Sequence, residues 1–164
     1  MNTEQHPPPN DTDWLDDNEL AAWVNLIKLS ARIITLSDNA LRRHDGITGR
    51  DYEMLHHLSN APDGLRLRGL AERIDDTSSC ITHRVNRLKA AGLVAKRIDP
   101  TDQRARIAQL TPRGRELLEQ AALPHAQRVR RWIIDPLDHT DITDLTRIAN
   151  KLNTHLQATE PCTE

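Results

Sequence analysis

From Leu20 the apolar positions Leu20, Trp23, Val24, Ile27, Ala31, Ile34 and Leu41 recur at the spacing of one helical face. The stripe predicts a long amphipathic helix to about His44, ended by Gly46. Thr48, with Asp51 three residues later, forms a capping-box pattern in which Asp replaces Glu or Gln. It opens a second helix carrying Tyr52, Met54, Leu55 and Leu58, which closes at the turn Ala61-Pro62-Asp63-Gly64. A short helix over 68–74 follows, and Thr77 then caps a helix running to Ala91, with Gly92 at its end. Leu93 to Asp99 and Arg104 to Leu110, joined by a turn at Pro100-Thr101-Asp102-Gln103, read as a two-stranded hairpin. Thr111-Pro112 starts a helix to about Ile134, which Pro124 should kink or split. After Asp135-Pro136, Ile142, Leu145, Ile148, Ala149, Leu152 and Leu156 define a last helical stripe. The fold class is therefore mainly α (α+β), a tight helical unit with a hairpin between long amphipathic helices.

Within the 77–91 helix, Ile81, Val85 and Leu88 share one face, and the opposite face presents Ser79, His83 and Asn86, flanked by Thr82 and Arg87. Short hydrogen-bonding groups near a helix N-terminus, with Thr77 and Ser78 ahead of them, suit a helix that reads base edges in a major groove. In isolation such a face would be ordinary solvated surface. The preceding tight turn and the following basic hairpin favour a winged helix-turn-helix. The hairpin carries Lys96 and Arg97 on one strand and Arg104 and Arg106 on the other. Arg104 lies near the tip beside Asp102, where an arginine can enter a narrow minor groove and a carboxylate can hold it by a charge-assisted bond.

Charge strengthens this picture. The 164 residues carry a formal net charge of −2, yet residues 1–24 hold six acids and no Lys or Arg, while residues 66–115 hold twelve bases against five acids. Residues 135–164 return to six acids against two bases. A basic middle between acidic ends is the footprint of polyanion binding. Aromatics are only 2% and Phe is absent, which counts against RNA platforms that stack bases on rings. With 37% apolar residues, a core shared with a second copy is more plausible than a large private one. No stretch of about 18 apolar residues stands out and the N-terminus lacks the pattern of a secretory signal. The expectation is a cytoplasmic protein with no membrane partner, which two cysteines, Cys80 and Cys162, also suit.

Leu70-Ala71-Glu72-Arg73-Ile74, Thr77 to Leu88, Ala91-Gly92-Leu93-Val94, Asp99-Pro100-Thr101-Asp102-Gln103-Arg104-Ala105 and Leu110-Thr111-Pro112-Arg113-Gly114 together resemble the MarR family of bacterial transcriptional regulators. The likeness spans about residues 18–158, and the Asp-x-Arg wing followed by Leu-Thr-x-x-Gly is its specific part. One departure is Asp75-Asp76, where the family usually has Gly and a small apolar residue; two acids facing DNA would repel phosphate. The resemblance implies a homodimer acting on a pseudo-palindromic operator as a ligand-responsive repressor. Ser78, Ser79, Thr82 and His83 would face the major groove, and Arg104 the minor groove with Asp102 as its orienting partner. It implies a flexible acidic tail over 1–17, a dimerisation helix over 18–45, a DNA-binding domain over 46–111, C-terminal dimerisation helices over 112–158 and a tail over 159–164. It also implies a small aromatic or phenolic effector between the dimer helices and the winged domain, near Trp23, Ile27, His44, His56 and Leu117, residues equally explained as core.

Trp14, Leu15 and Trp23 at one end and Trp132, Ile133 and Leu152 at the other need covering, by a second copy or by one another. Two copies would set the reading helices about 34 Å apart, one turn of DNA. No C-x-x-C or H-E-x-x-H is present, and adjacent His56 and His57 cannot face one site from one helix, so neither metal nor cofactor is expected. Cys80 and Cys162 lack activating sequence neighbours and read as filler. No nucleophile–base pattern or phosphate loop points to an enzyme. The rival reading is a winged-helix protein-interaction module whose basic face meets an acidic protein.

Overall fold

The computed structural model describes residues 14–159. Its elements are α1 (Asp17–Asp45), α2 (Gly49–Ser59), β1 (Leu65–Arg66), α3 (Leu67–Ile74), α4 (Ser78–Ala90), β2 (Val94–Asp99), β3 (Asp102–Leu110), α5 (Pro112–Val129) and α6 (His139–Thr159). The fold is mainly helical with a small three-stranded antiparallel wing. The expected tails fall largely on residues 1–13 and 160–164, outside the described residues, as does Cys162.

The chain divides into two units, one ending at Ser37 and the other beginning at Asp38. In the first, Asp16 caps α1: its Oδ1 accepts from the Asn18 and Glu19 amides (both 2.8 Å), and Glu19 Oε2 accepts from the Asp16 amide at 2.9 Å. The stripe Leu20, Trp23, Ile27 and Ile34 lies exposed. By length and composition α1 is apolar enough to cross a bilayer, which corrects the expectation that no segment is. Between Leu20 and Ser37 the only charged residues are Lys28 and Arg32, and Ala, Ser and Thr among the aliphatics keep the polarity low. A packing helix passes the same test, so this property alone assigns no membrane.

The second unit is organised around one apolar cluster. Leu41 and Ile47, Met54, Leu55 and Leu58 of α2, Leu70 and Ile74 of α3, Ile81, Val85 and Leu88 of α4, Val94 and Ala108 of the sheet, and Leu118 and Ala121 of α5 are all buried in it. Each fully buried large aliphatic contributes about 1.5–3 kcal/mol, which makes this cluster the main stabilising feature of the unit. The predicted capping box holds α2: the Asp51 amide donates to Thr48 Oγ1 at 3.1 Å, and the Thr48 amide to Asp51 Oδ2 at 2.8 Å.

The wing differs from the predicted hairpin in two ways. A third strand, β1, pairs antiparallel with β3 through Leu65–Ala108 and Arg66–Ile107, giving the order β1-β3-β2. Two residues leave no periodicity to read, and it is Gly64 (φ 80°) that admits them, since a Cβ there would collide with the Ala108 carbonyl. The loop is also tighter than predicted: β3 begins at Asp102, which pairs with Asp99 beside an irregularity at Ile98. Asp99 closes this loop by accepting from the Thr101 amide at 2.8 Å and the Thr101 hydroxyl at 2.7 Å.

Thr111 joins wing to α5. Its hydroxyl donates to the Gly92 carbonyl at 2.7 Å and accepts from the Gly114 amide at 3.0 Å. Gly114 has no room for a Cβ against the Leu93 carbonyl, so α5 starts pressed on the segment that joins α4 to β2. Pro124 does not split α5, which continues to Val129; the proline is exposed. The irregularity comes later, as a π-helical turn over Arg130–Ile134 closed by the Asp135 amide on the Arg130 carbonyl at 2.8 Å. In α6, which Asp138 and Asp141 cap reciprocally, Leu145, Ile148, Leu152 and Leu156 are exposed.

Candidate nucleic-acid interface

A helix that reads DNA must be anchored by one face and bare on the other. In α4 the anchor is Ile81, Val85 and Leu88, each at most 1% exposed. Thr77 caps the helix, its Oγ1 accepting from the Cys80 amide at 3.3 Å and lying 3.3 Å from Ser79 Oγ. Thr77, Ser78, Ser79, Thr82, His83, Asn86 and Arg87 are all exposed. Thr82 turns its hydroxyl to the Ser78 carbonyl at 2.8 Å, presenting its methyl outward. A concavity of about 300 Å³ on this surface is lined by Ser79, Cys80, His83, Arg84 and Arg87.

The acids in the turn before α4 prove structural. Asp75 takes the left-handed conformation (φ 55°) that ends α3, a geometry glycine adopts more cheaply. Asp76 accepts from the Thr77 amide at 2.8 Å and from Arg84 Nη2 at 3.2 Å. Burial works to raise its pKa, but the Thr77 amide, the Arg84 bond and charge, and the Cys80 thiol hold it below the usual carboxylate value.

Among the wing residues, Lys96 Nζ donates to Asn86 Oδ1 at 2.7 Å, tying β2 to α4. Arg97 Nη2 donates to the Asp63 carbonyl at 2.9 Å, and Arg106 Nη1 to the Gln103 carbonyl at 2.7 Å. Asp102 meets Arg104 through the backbone: its Oδ1 accepts the Arg104 amide at 2.9 Å, where a bond to the guanidinium was expected. This bend shapes the strand, and the Arg104 side chain is exposed. Arg66, which sequence reasoning missed, donates to Asp99 at 2.6 Å and to Thr101 Oγ1 at 3.0 Å. The Thr101 amide and hydroxyl, with Arg66, lower the Asp99 pKa to about 2.

The predicted effector residues are placed less informatively. Trp23 and Ile27 are exposed in the first unit; in the second, His44 and His56 are exposed and Leu117 packs against the core. Sequence reasoning overlooked a half-buried polar cluster within the second unit. The Tyr52 and His125 rings lie 4.6 Å apart, and Arg128 Nη2 is 4.0 Å from Asp45 Oδ2. Asp45 Oδ2, His125 Nδ1 and Arg128 Nε and Nη2 are buried without a hydrogen-bond partner. Burial and Arg128 lower the His125 pKa against a smaller pull from Asp45, and burial with Asp45 raises that of Tyr52. Among the described residues no His, Cys, Asp or Glu side chains group as a metal site.

Comparison with known proteins bears on this geometry. The profile of the MarR family matches residues 45–105. AbsC, a MarR family transcriptional regulator from Streptomyces coelicolor, is 31% identical, superimposes with a TM-score of 0.83, and is matched over 89% of this chain and 99% of its own. Sco3205, another such regulator from Streptomyces coelicolor, solved in complex with DNA, is 29% identical with a TM-score of 0.87 over 94% and 96% of the two chains. The HTH-type transcriptional regulator YkoM of Bacillus subtilis is 26% identical over 71% of this chain and 77% of its own.

Proposed function

Because the chain belongs to the MarR family of winged helix-turn-helix transcriptional regulators, a family of DNA-binding proteins and not of enzymes, we propose that it is a homodimeric, ligand-responsive repressor of a pseudo-palindromic operator. The observation that carries this reading is the two-faced α4: Ile81, Val85 and Leu88 are buried while Ser79, Thr82 and His83 stand bare beside a wing bonded to the same helix. Ser78, Ser79, Thr82 and His83 meet base edges, Thr77 and the helix N-terminus sit by a phosphate, and Lys96, Arg97 and Arg106 add positive charge along the backbone. Arg104 enters the flanking minor groove from the Asp102 bend.

A second copy covers the exposed stripes of α1 and α6 and sets the two α4 helices one DNA turn apart. This accounts for the apolar character of α1 without a bilayer, and a protein acting on bacterial DNA works in the cytoplasm. Ligand response is supported by the Asp45, Tyr52, His125 and Arg128 cluster, in which buried polar atoms of Asp45, His125 and Arg128 lack hydrogen-bond partners. An acidic or phenolic molecule would satisfy them and favour a dimer geometry with the wrong α4 spacing.

Fluorescence-anisotropy titration against the protein's own upstream DNA and a scrambled duplex, over a salt series, tests the reading. Sequence-preferring binding with a steep salt slope is expected, and Arg104→Ala should weaken it about tenfold or more while leaving the dimer intact. Equal weak binding to both duplexes would favour the protein-interaction module instead.

A further inference from the structure

Asp51 is completely buried, and it lies on α2, outside the helix and wing assigned to DNA. Its Oδ2 closes the α2 cap, and its Oδ1 receives a hydrogen bond from Arg87 Nη2 and lies 3.6 Å from Arg84 Nη1. Both arginines belong to α4, three residues apart, and so leave it from neighbouring positions on one side. Arg84 also reaches Asp76 in the turn ahead of α4, and Arg50 Nη1 binds the Ile74 carbonyl at the end of α3 at 3.1 Å. One buried carboxylate thus fastens the first turn of α2 to the middle of the reading helix, with a second acid holding that helix at its start.

Apolar contact is non-directional, so Ile81, Val85 and Leu88 alone would let α4 roll a little about its axis. Side-chain tips ride about 5–6 Å from a helix axis, so a roll of about 20° moves them about 2 Å, enough to break a hydrogen bond to a base edge. The same roll would pull Arg84 and Arg87 off Asp51 and strand a buried charge. We propose that Asp51 is a specificity-positioning residue, fixing the rotation of α4 in the groove through Arg87 and Arg84, and that Arg87 acts through Asp51 and not as a DNA contact. This rests on the assignment of α4 to the major groove. Burial works to raise the Asp51 pKa, but the Arg87 bond, the Thr48 cap and the Arg87 charge leave it lowered, which favours the carboxylate form.

A double-mutant cycle decides the matter. A duplex selected by the full-length wild type from a random pool, and its scrambled counterpart, are titrated with wild type, Asp51→Asn, Arg87→Gln and the double variant across a salt series. Each single change should lower the selected-to-scrambled preference about tenfold, keep the wild-type salt slope, and leave dimerisation and helical content unaltered. The double variant should be no worse than either single one. A merely structural pair would lower the melting temperature and leave the preference intact. An Arg87 that touched phosphate would lower the salt slope by about one when neutralised, and its effect would add to that of Asp51→Asn. Either result overturns the proposal. Should Asp51→Asn fail to fold, Arg87→Gln alone still decides, because the Arg87 side chain is 45% exposed and Arg84 remains beside Asp51. A wild type that selects no sequence would sink the groove assignment itself, a result distinct from variants that behave like a selective wild type.

Discussion

Between Ile47 and Ala121 the large aliphatic side chains face inward, and Ile98 on the wing is the exception left well exposed. On α6 the stripe is as regular, yet no residue is buried, and Leu145, Ile148, Leu152 and Leu156 are all more than 40% exposed. The two regions use the same residue types at the same helical spacing. What separates them is a partner within the chain: α2, α3, α4, α5 and the sheet close around one another, whereas α6 presents an apolar row that its own unit does not cover. A hydrophobic stripe therefore specifies that something must cover it, and leaves open what does.

That difference can be broken most forcefully on α6. Replacing Ile148 and Leu152 together with Asp should weaken the proposed dimer roughly a thousandfold, while thermal melting of the 47–121 core persists. Sedimentation equilibrium reads the first effect and circular dichroism the second; a dimer that survived would mean α6 is not the seam. The converse change is Leu58→Ala, fully buried in α2, which should cost about 2–5 kcal/mol in urea unfolding by removing contacts the chain makes with itself. Denaturation titrations at several protein concentrations would show that loss to be independent of concentration.

The smallest effect sharpens the comparison through pH. His125 has a pKa below its ordinary 6.5, so the folded chain binds fewer protons than the unfolded one just below that value. Stability is complete above about pH 6.5 and declines as pH falls beneath it, and His125→Gln should remove that part of the slope. A second loss, from Asp51, Asp76 and Asp99, follows only below their ordinary 3.8. Urea midpoints of both proteins at about pH 7.5 and 5.5 would separate the two.

Local signals carried most of the fold. Thr48 with Asp51, Thr111 before Pro112, Gly92 after α4 and the row Ile81, Val85, Leu88 all act within a few residues, where spacing is informative. The exposed polar face of α4 was legible for the same reason. Arg87 and Asp51, by contrast, meet across 36 positions, and a polar pair at that range leaves no periodic trace. Asp45 and Arg128 escaped notice similarly, as did β1, whose two residues depend on Gly64 and on a strand far along the chain. Of the two effects expected of Pro124, the split is absent, since α5 runs on through it.

The pairing of β1 with β3 has a kinetic consequence. Leu65 lies opposite Ala108 in the ladder, so the loop they close contains α3, α4 and β2 entire. Until β3 has been synthesised and has returned to that edge, the entropy of closing the loop is not offset by its contacts. The unit should therefore fold as one late, cooperative event, with α4 gaining its protection from amide exchange together with the wing and not before it.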